Sequence, residues 1–174
     1  MWPASDDRVV NTCQGLDWLR ALAVTLWFHT SPVSSIPDAL AVFEDAFRGV
    51  SQYGAYAAQP HPSHTSAEDV YDVRYHLIKL YSDRAHPLEK IVTPTTHGTG
   101  DHLDHRLGWF VARALQSLGY SHMAVQRQDQ HHLEFASQLE CLGLWHWAVY
   151  ALLHLSDPKQ RKIKVCESLG RHVR

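Results

Sequence analysis

The sequence contains only three cysteines, and their spacing excludes several kinds of site. Cys13, Cys141 and Cys166 lie far apart, and no CxxC pair is present. A zinc ribbon and a thiol–disulfide redox motif are therefore excluded. An odd number of widely spaced thiols fits a reducing compartment, so the composition favours an intracellular protein.

Long hydrophobic runs and an excess of charge of one sign are absent as well. The apolar stretch 21–28 is too short to span a bilayer, and the first residues lack the pattern of a signal peptide. The 16 basic and 18 acidic side chains give a net charge of −2 with neutral histidine. Because nucleic acids and anionic membranes are bound by clustered Lys and Arg, we expect no direct nucleic acid binding and no membrane insertion.

Apolar residues recur at helical spacing along most of the chain, and no segment alternates as a β-strand does. The predicted helices cover about 17–29, 36–48, 67–84, 102–118, 122–127, 130–142 and 144–155, with a last helix beginning at Asp157-Pro158. The predicted N-caps include Asp17, Ser35, Ser66 and Asp101. The expected fold is all-α, an irregular solenoid of antiparallel helix pairs.

The expected domain organisation is an N-terminal tail at 1–15 followed by one helical solenoid segment at 16–172. Two stretches rich in turn-forming residues, at about 50–65 and 93–100, are predicted loops. No fixed repeat of 34 or 40 residues is evident. Any solenoid is therefore irregular.

Fourteen histidines are many for 174 residues. The densest cluster offers four candidate metal ligands: His97, Asp101, His102 and His105. Imidazoles and carboxylates bind zinc and iron, and the segment nearly matches the HxHxDH motif of metallo-β-lactamase-like hydrolases. Thr99 replaces the second histidine, however, and no strand precedes the motif. The competing interpretation is a loop that enters a helix capped by Asp101. A metal-binding helical domain or metal-dependent hydrolase is thus the alternative hypothesis.

Other catalytic patterns are missing. The sequence has no GxSxG motif, and no GK[ST] follows Gly98 and Gly100. Cys141 stands beside Leu142 on a predicted helix, which indicates a packed thiol. No base is placed beside a nucleophile and an orienting group. We therefore expect no enzymatic activity, no catalytic residue and no cofactor.

The six tryptophans suggest packing or protein contact. Trp145 and Trp147 flank His146, so their side chains leave one helix in different directions, and one of them is expected in the core. For Trp18 and Trp27 on the first helix, the sequence likewise does not decide which side chain lies in the core. The candidate contact residues are Trp18, Leu22, Leu26, Trp145 and Trp147.

Several long segments of the sequence resemble segments of the nucleoporin 96 family, and they occur in the same order. HLIKLYSDR at 76–84 is similar to HLLKLYSDR of metazoan members, and DHLDHRLGW at 101–109 to DPLDYRLSW. FASQLECLGLWHWA at 135–148 resembles YAGQLESEGLWEWA. The matches span about 16–169. The family segments have Pro and Tyr at the positions of His102 and His105, so a metal role is not part of the family pattern.

The resemblance implies a structural role in the nuclear pore complex at the nuclear envelope. The family is the C-terminal product of the nucleoporin 98/96 precursor and adopts the ancestral coatomer element, a folded-back α-solenoid with crown, trunk and tail. It helps to build the Y-complex scaffold that supports transport of protein and mRNA. The implied partners are other Y-complex nucleoporins, first among them the nucleoporin 107 solenoid. The segment that completes a partner β-propeller is not recognised here, so that partner is not expected.

Overall fold

The computed structural model describes residues 10, 12–67 and 69–173, and these residues form helices and turns without a β-strand. The prediction of an all-α fold is confirmed for this part of the chain. Eight α-helices have both ends within it: α1 Trp18–Val24, α2 Ile36–Arg48, α3 Val73–Ser82, α4 Glu89–Val92, α5 Arg106–Ser117, α6 Val125–Cys141, α7 Trp145–Leu152 and α8 Pro158–His172. A π-helical turn, Thr25–His29, prolongs α1, and a 3₁₀ turn, Pro94–Thr96, follows α4. None of the described helices combines the length and the apolar character that crossing a bilayer requires.

The chain divides into two compact units, Met1–His86 and Pro87–Arg174. In the first unit, α1, α2 and α3 meet around an aromatic core. The rings of Phe43 and Phe47 lie 5.3 Å apart, and Tyr75 packs edge-on against Phe47. Trp18 joins this core from α1 and carries the guanidinium of Arg74 over its ring at 5.5 Å. Burial of these large apolar side chains is the main force that holds the three helices together.

Helix α2 begins and ends where the sequence predicts, because both ends carry local signals. The backbone N–H of Ser35 donates to the Asp38 carboxylate at 2.9 Å, which is one half of a capping box. At the other end Gly49 has φ of +73°, a left-handed conformation that glycine adopts without strain. A Cβ at this position would also lie 3.2 Å from the backbone nitrogen of Ala55.

In the second unit, α6, α7 and α8 pack one after another, and Trp109 of α5 joins the core between α6 and α7. The indole of Trp109 stacks on Phe135 of α6 with ring centroids 4.9 Å apart. Ala148 and Ala151 of α7 are fully buried, and their small side chains let α6 and α7 approach closely. The connections are short: Gly143, with φ of +75°, lies between α6 and α7.

Two predicted helix starts are wrong. Helix α3 begins at Val73 and is capped by Asp72, not by Ser66, because the preceding loop bonds to itself through the Asp72 N–H and the Pro60 carbonyl at 2.8 Å. Helix α5 begins at Arg106, not near 102. The segments predicted as separate helices at 122–127 and 130–142 form the single helix α6.

Candidate interaction surface

The four candidate metal ligands of the 97–105 segment do not converge on one point. Asp101 and His102 are exposed, and the Asp101 carboxylate accepts a hydrogen bond from the Leu103 N–H at 2.9 Å. His97 is buried, with its Nε2 2.9 Å from the Ile91 carbonyl oxygen. A metal site at this cluster therefore finds no support. Asp101 and His102 belong to an exposed turn and do not face His97 and His105.

Asp104 and the start of α5 are tied to α6 by polar contacts. The Gln138 carboxamide accepts from the His105 N–H at 2.9 Å and donates to Asp104 at 3.3 Å. Arg106 donates two hydrogen bonds of 2.8 Å to the same carboxylate, and this pairing holds the pKa of Asp104 well below its usual range. Asp104 therefore stays ionised and fixes where α5 begins.

The candidate contact residues fall into different environments. Trp18 is buried in the core of the first unit, whereas Leu22 and Leu26 are half-buried. Trp145 is also half-buried, and its ring stacks on His172 at 5.9 Å with an angle of 9°. Trp147 is 54% exposed, so of the two tryptophans on α7 it is the one available for contact, and neither is fully buried.

Trp147 borders an apolar groove between α5, α6 and α7. The groove encloses about 270 Å³ and is lined by Arg106, Trp109, Phe110, Phe135, Leu139, Leu144, Trp147 and Tyr150. We call it the aromatic groove. Phe110 is 62% exposed and Tyr150 is 47% exposed, although both are large apolar side chains. Exposed aromatic side chains concentrated in this way are typical of protein contact sites.

The floor of the aromatic groove is fixed by a buried polar contact. The indole Nε1 of Trp109 donates to the His132 imidazole at 2.9 Å. Burial lowers the pKa of His132 to about 4, so the ring is neutral at pH 7 and can accept this hydrogen bond. The floor is therefore formed before any partner binds.

Of the residues that line the aromatic groove, the sequence identified only Trp147 as a contact candidate, and it missed the two other exposed aromatic side chains, Phe110 and Tyr150. Phe110 follows Trp109, and neighbouring residues of a helix point in different directions, so the core position of one leaves the other outside. Tyr150 stands three residues after Trp147 and shares its side of α7, with ring centroids 6.0 Å apart. Helical spacing relative to the tryptophans was the available signal.

A second set of exposed aromatic side chains lies in the first unit. Trp27 and Phe28 of the π-helical turn are 75% and 73% exposed. Leu26, a predicted contact residue, stands beside them in sequence. They lie in the other unit and outside the aromatic groove, so they serve below as a reference surface.

Comparison with known proteins decides the family. The family model described as nuclear protein 96 matches residues 3–174. The chain belongs to the nuclear protein 96 family. The resemblance to nucleoporin 96 is thereby confirmed.

Relatives in the nuclear protein 96 family come from distant organisms. The nuclear pore complex protein Nup98-Nup96 of Drosophila melanogaster is 41% identical over 174 residues, which is 97% of this chain and 9% of the relative. Nucleoporin NUP145 of Chaetomium thermophilum is 30% identical over 162 residues, 91% of this chain and 7% of that protein. Nuclear pore complex protein NUP96 of Arabidopsis thaliana is 29% identical over 153 residues, 80% of this chain and 14% of the relative. The chain therefore spans about a tenth of the length of these relatives.

Proposed function

We propose that this chain is a structural component of the nuclear pore complex at the nuclear envelope. It acts through contacts of its helix faces with other proteins and not through catalysis. The observation that carries the proposal is the aromatic groove in a member of the nuclear protein 96 family, whose relatives are named nuclear pore complex proteins.

We further propose that the helices belong to an irregular solenoid of the ancestral coatomer type, corresponding to crown and trunk, within the Y-complex. The order of packing in the second unit supports this. Helix α7 packs on α6 before it and on α8 after it, as consecutive helices do in stacked arrays. In this proposal residues 1–15 are a tail and 16–172 contribute helices and their connecting loops.

The proposed partner is another helical nucleoporin of the nucleoporin 107 type. The aromatic groove is apolar along its length, with Arg106 as the single charged residue among those that line it. An amphipathic helix can place its apolar face into such a groove. The exposed aromatics Phe110, Trp147 and Tyr150 supply the large contact areas that dominate binding energies.

The test is co-purification and calorimetry of the 174-residue chain with a nucleoporin 107 homologue from the same organism. We expect Trp147→Ala to weaken binding at least about tenfold, because removal of a central aromatic contact costs about 2 kcal/mol or more. Trp27→Ala is the matched control, since Trp27 is more exposed than Trp147 and lies outside the groove.

Two results would contradict the proposal in different ways. If the folded wild-type chain does not bind the homologue, the nucleoporin 107 partner is wrong. If Trp27→Ala weakens binding and Trp147→Ala does not, the partner is right and the aromatic groove is not its site. A tagged chain that fails to reach the nuclear rim would contradict the proposed location.

A further inference from the structure

Three potential metal ligands from two elements converge beside α6. His105 lies immediately before α5, and His131 and Glu134 stand three residues apart on one side of α6. One ligand atom of each lies within 4.8 Å of those of the other two. His105 is held in this position because its backbone N–H donates to Gln138 of α6. The set differs from the 97–105 cluster, with which it shares His105 alone.

The two imidazoles bring unsatisfied nitrogens to this point. His105 is 9% exposed and His131 is 6% exposed. Nδ1 of His105 and Nε2 of His131 are buried and have no hydrogen-bond partner. The nearest carboxylate oxygen, Oε2 of Glu134, is 3.5 Å from Nδ1 of His105. A buried polar atom without a partner costs about 1–3 kcal/mol. A metal ion that accepts the lone pairs of both nitrogens would remove this cost.

We propose that His105, His131 and Glu134 bind one divalent transition-metal ion, and that zinc is the ion that fits them best. Two imidazole nitrogens and one carboxylate oxygen are an established donor set for zinc. A tetrahedral ion with bonds of about 2.0–2.1 Å holds its ligand atoms about 3.4 Å apart. The His105–Glu134 distance of 3.5 Å already meets this value. The two separations that involve His131 are at most 4.8 Å, so the ligand atoms must approach one another by at most about 1.4 Å when the ion binds.

The surroundings can complete such a site. A cavity of about 320 Å³ adjoins the three ligands and has room for a water molecule as the fourth. Gln130 donates a hydrogen bond of 2.8 Å to Oε1 of Glu134. Residues that hydrogen-bond to a metal ligand in this way orient it toward the ion. Glu89 and Arg127 also line the cavity, and the two carboxylates offset the single guanidinium.

The position of the ion gives it a structural role. It would join the residue before α5 to the middle of α6, and both helices line the aromatic groove. The inference does not depend on the proposed function, because it rests on ligand geometry alone. The metazoan segment quoted above has tyrosine at the position of His105, so members that carry it lack one of the three ligands.

The test uses the untagged 174-residue chain, first treated with a chelator and dialysed. Zinc is then titrated by calorimetry and cobalt by visible absorption. We expect one equivalent of zinc to bind and one equivalent of cobalt to give the absorption bands of a tetrahedral site. Glu134→Gln should weaken zinc binding at least about tenfold, and His131→Ala should abolish the stoichiometric binding. The exposed His102 and His146 provide controls, and His102→Ala and His146→Ala should bind as the wild type does.

The outcomes are decisive even if one variant fails to fold. Since Glu134 is partly exposed, Glu134→Gln should keep its circular dichroism spectrum and should lose the rise in Tm that zinc gives the wild type. The proposal is overturned if the wild type binds no stoichiometric zinc. It is equally overturned if Glu134→Gln binds zinc as tightly as the wild type, or if His102→Ala removes the binding.

Discussion

Trp109 Nε1 donates a hydrogen bond of 2.9 Å to Nδ1 of His132 in the core of the second unit. Trp109 is 3% exposed, yet it also lines the aromatic groove. Trp109 therefore belongs both to the core and to the groove. Its ring stacks on Phe135, and its N–H is hydrogen-bonded inside the protein. The stability of the second unit and the shape of the groove should respond to the same substitution.

We expect Trp109→Phe to lower the free energy of unfolding by about 2–4 kcal/mol. The smaller ring leaves a cavity, and the His132 nitrogen loses its donor. Urea unfolding followed by circular dichroism measures the change. Trp147→Phe is the control, because Trp147 is 54% exposed and should cost less than about 1 kcal/mol. Equal losses in the two variants would show that Trp109 is not the anchor of this core.

The helix ends that the sequence predicted correctly are those with local signals. Ser35, Asp38 and Gly49 lie within the turns that they terminate, so short patterns suffice for α2. The start of α5 depends on Asp104, which accepts from the Arg106 N–H and is also bonded to Gln138, 34 residues further along the chain. The contact with Gln138 leaves no periodic trace in the sequence, whereas Asp101, the predicted cap, bonds to Leu103 in the preceding turn.

The candidate contact surfaces also divide into features that local spacing predicts and features that depend on residues far away in sequence. Helical spacing identified Trp18 and Trp147 as similar residues, because each stands on an apolar helix. Their environments differ only because other helices cover Trp18 and leave Trp147 half open. Likewise, His105 and His131 are 26 positions apart, and only the packing of α5 against α6 brings them together.

Gly108 on α5 is required by the close approach of α4. A Cβ at this position would lie 2.3 Å from the carbonyl oxygen of Val92 and 3.1 Å from the His97 ring. We expect Gly108→Ala to destabilise the protein by about 1–3 kcal/mol or more, because the backbone of α4 must shift. Gly170→Ala is the matched control on α8, where a Cβ meets nothing within 4 Å. It should stabilise by up to about 1 kcal/mol through helix propensity. A loss of Tm in both variants alike would contradict the steric explanation.

Asp157 caps the N-terminus of α8. Its carboxylate accepts from the backbone N–H groups of Lys159 at 3.0 Å and Gln160 at 3.4 Å. We expect Asp157→Ala to cost about 1 kcal/mol in the free energy of unfolding, and Asp157→Asn to cost less, because asparagine caps nearly as well. Thermal unfolding measures both. If Asn and Ala are equally destabilising, the contribution of Asp157 comes from its charge and not from the capping hydrogen bonds.

Tyr75 should make the protein sensitive to alkaline pH. Its hydroxyl is buried and donates to the Glu44 carboxylate at 2.9 Å, and Glu44 also pairs with Lys79 and Arg48. Burial, followed by this hydrogen bond, raises the pKa of Tyr75 far above its usual value. The folded protein therefore keeps a proton that the unfolded chain releases near pH 10. The stability that this group contributes is complete below about pH 10 and is lost as the pH rises above it, by up to about 1.4 kcal/mol per pH unit.

We expect Tyr75→Phe to be about 1–2 kcal/mol less stable than the wild type at pH 7, because Glu44 loses a buried hydrogen bond. The difference should shrink above about pH 10, since the phenylalanine variant has no proton to lose at this position. Urea unfolding between neutral and alkaline pH measures the two curves, with Tyr81→Phe as a control in which a 65% exposed tyrosine is removed and the curve should follow the wild type. A constant gap at every pH would mean that Tyr75 stabilises through packing, because a buried proton must make the gap depend on pH.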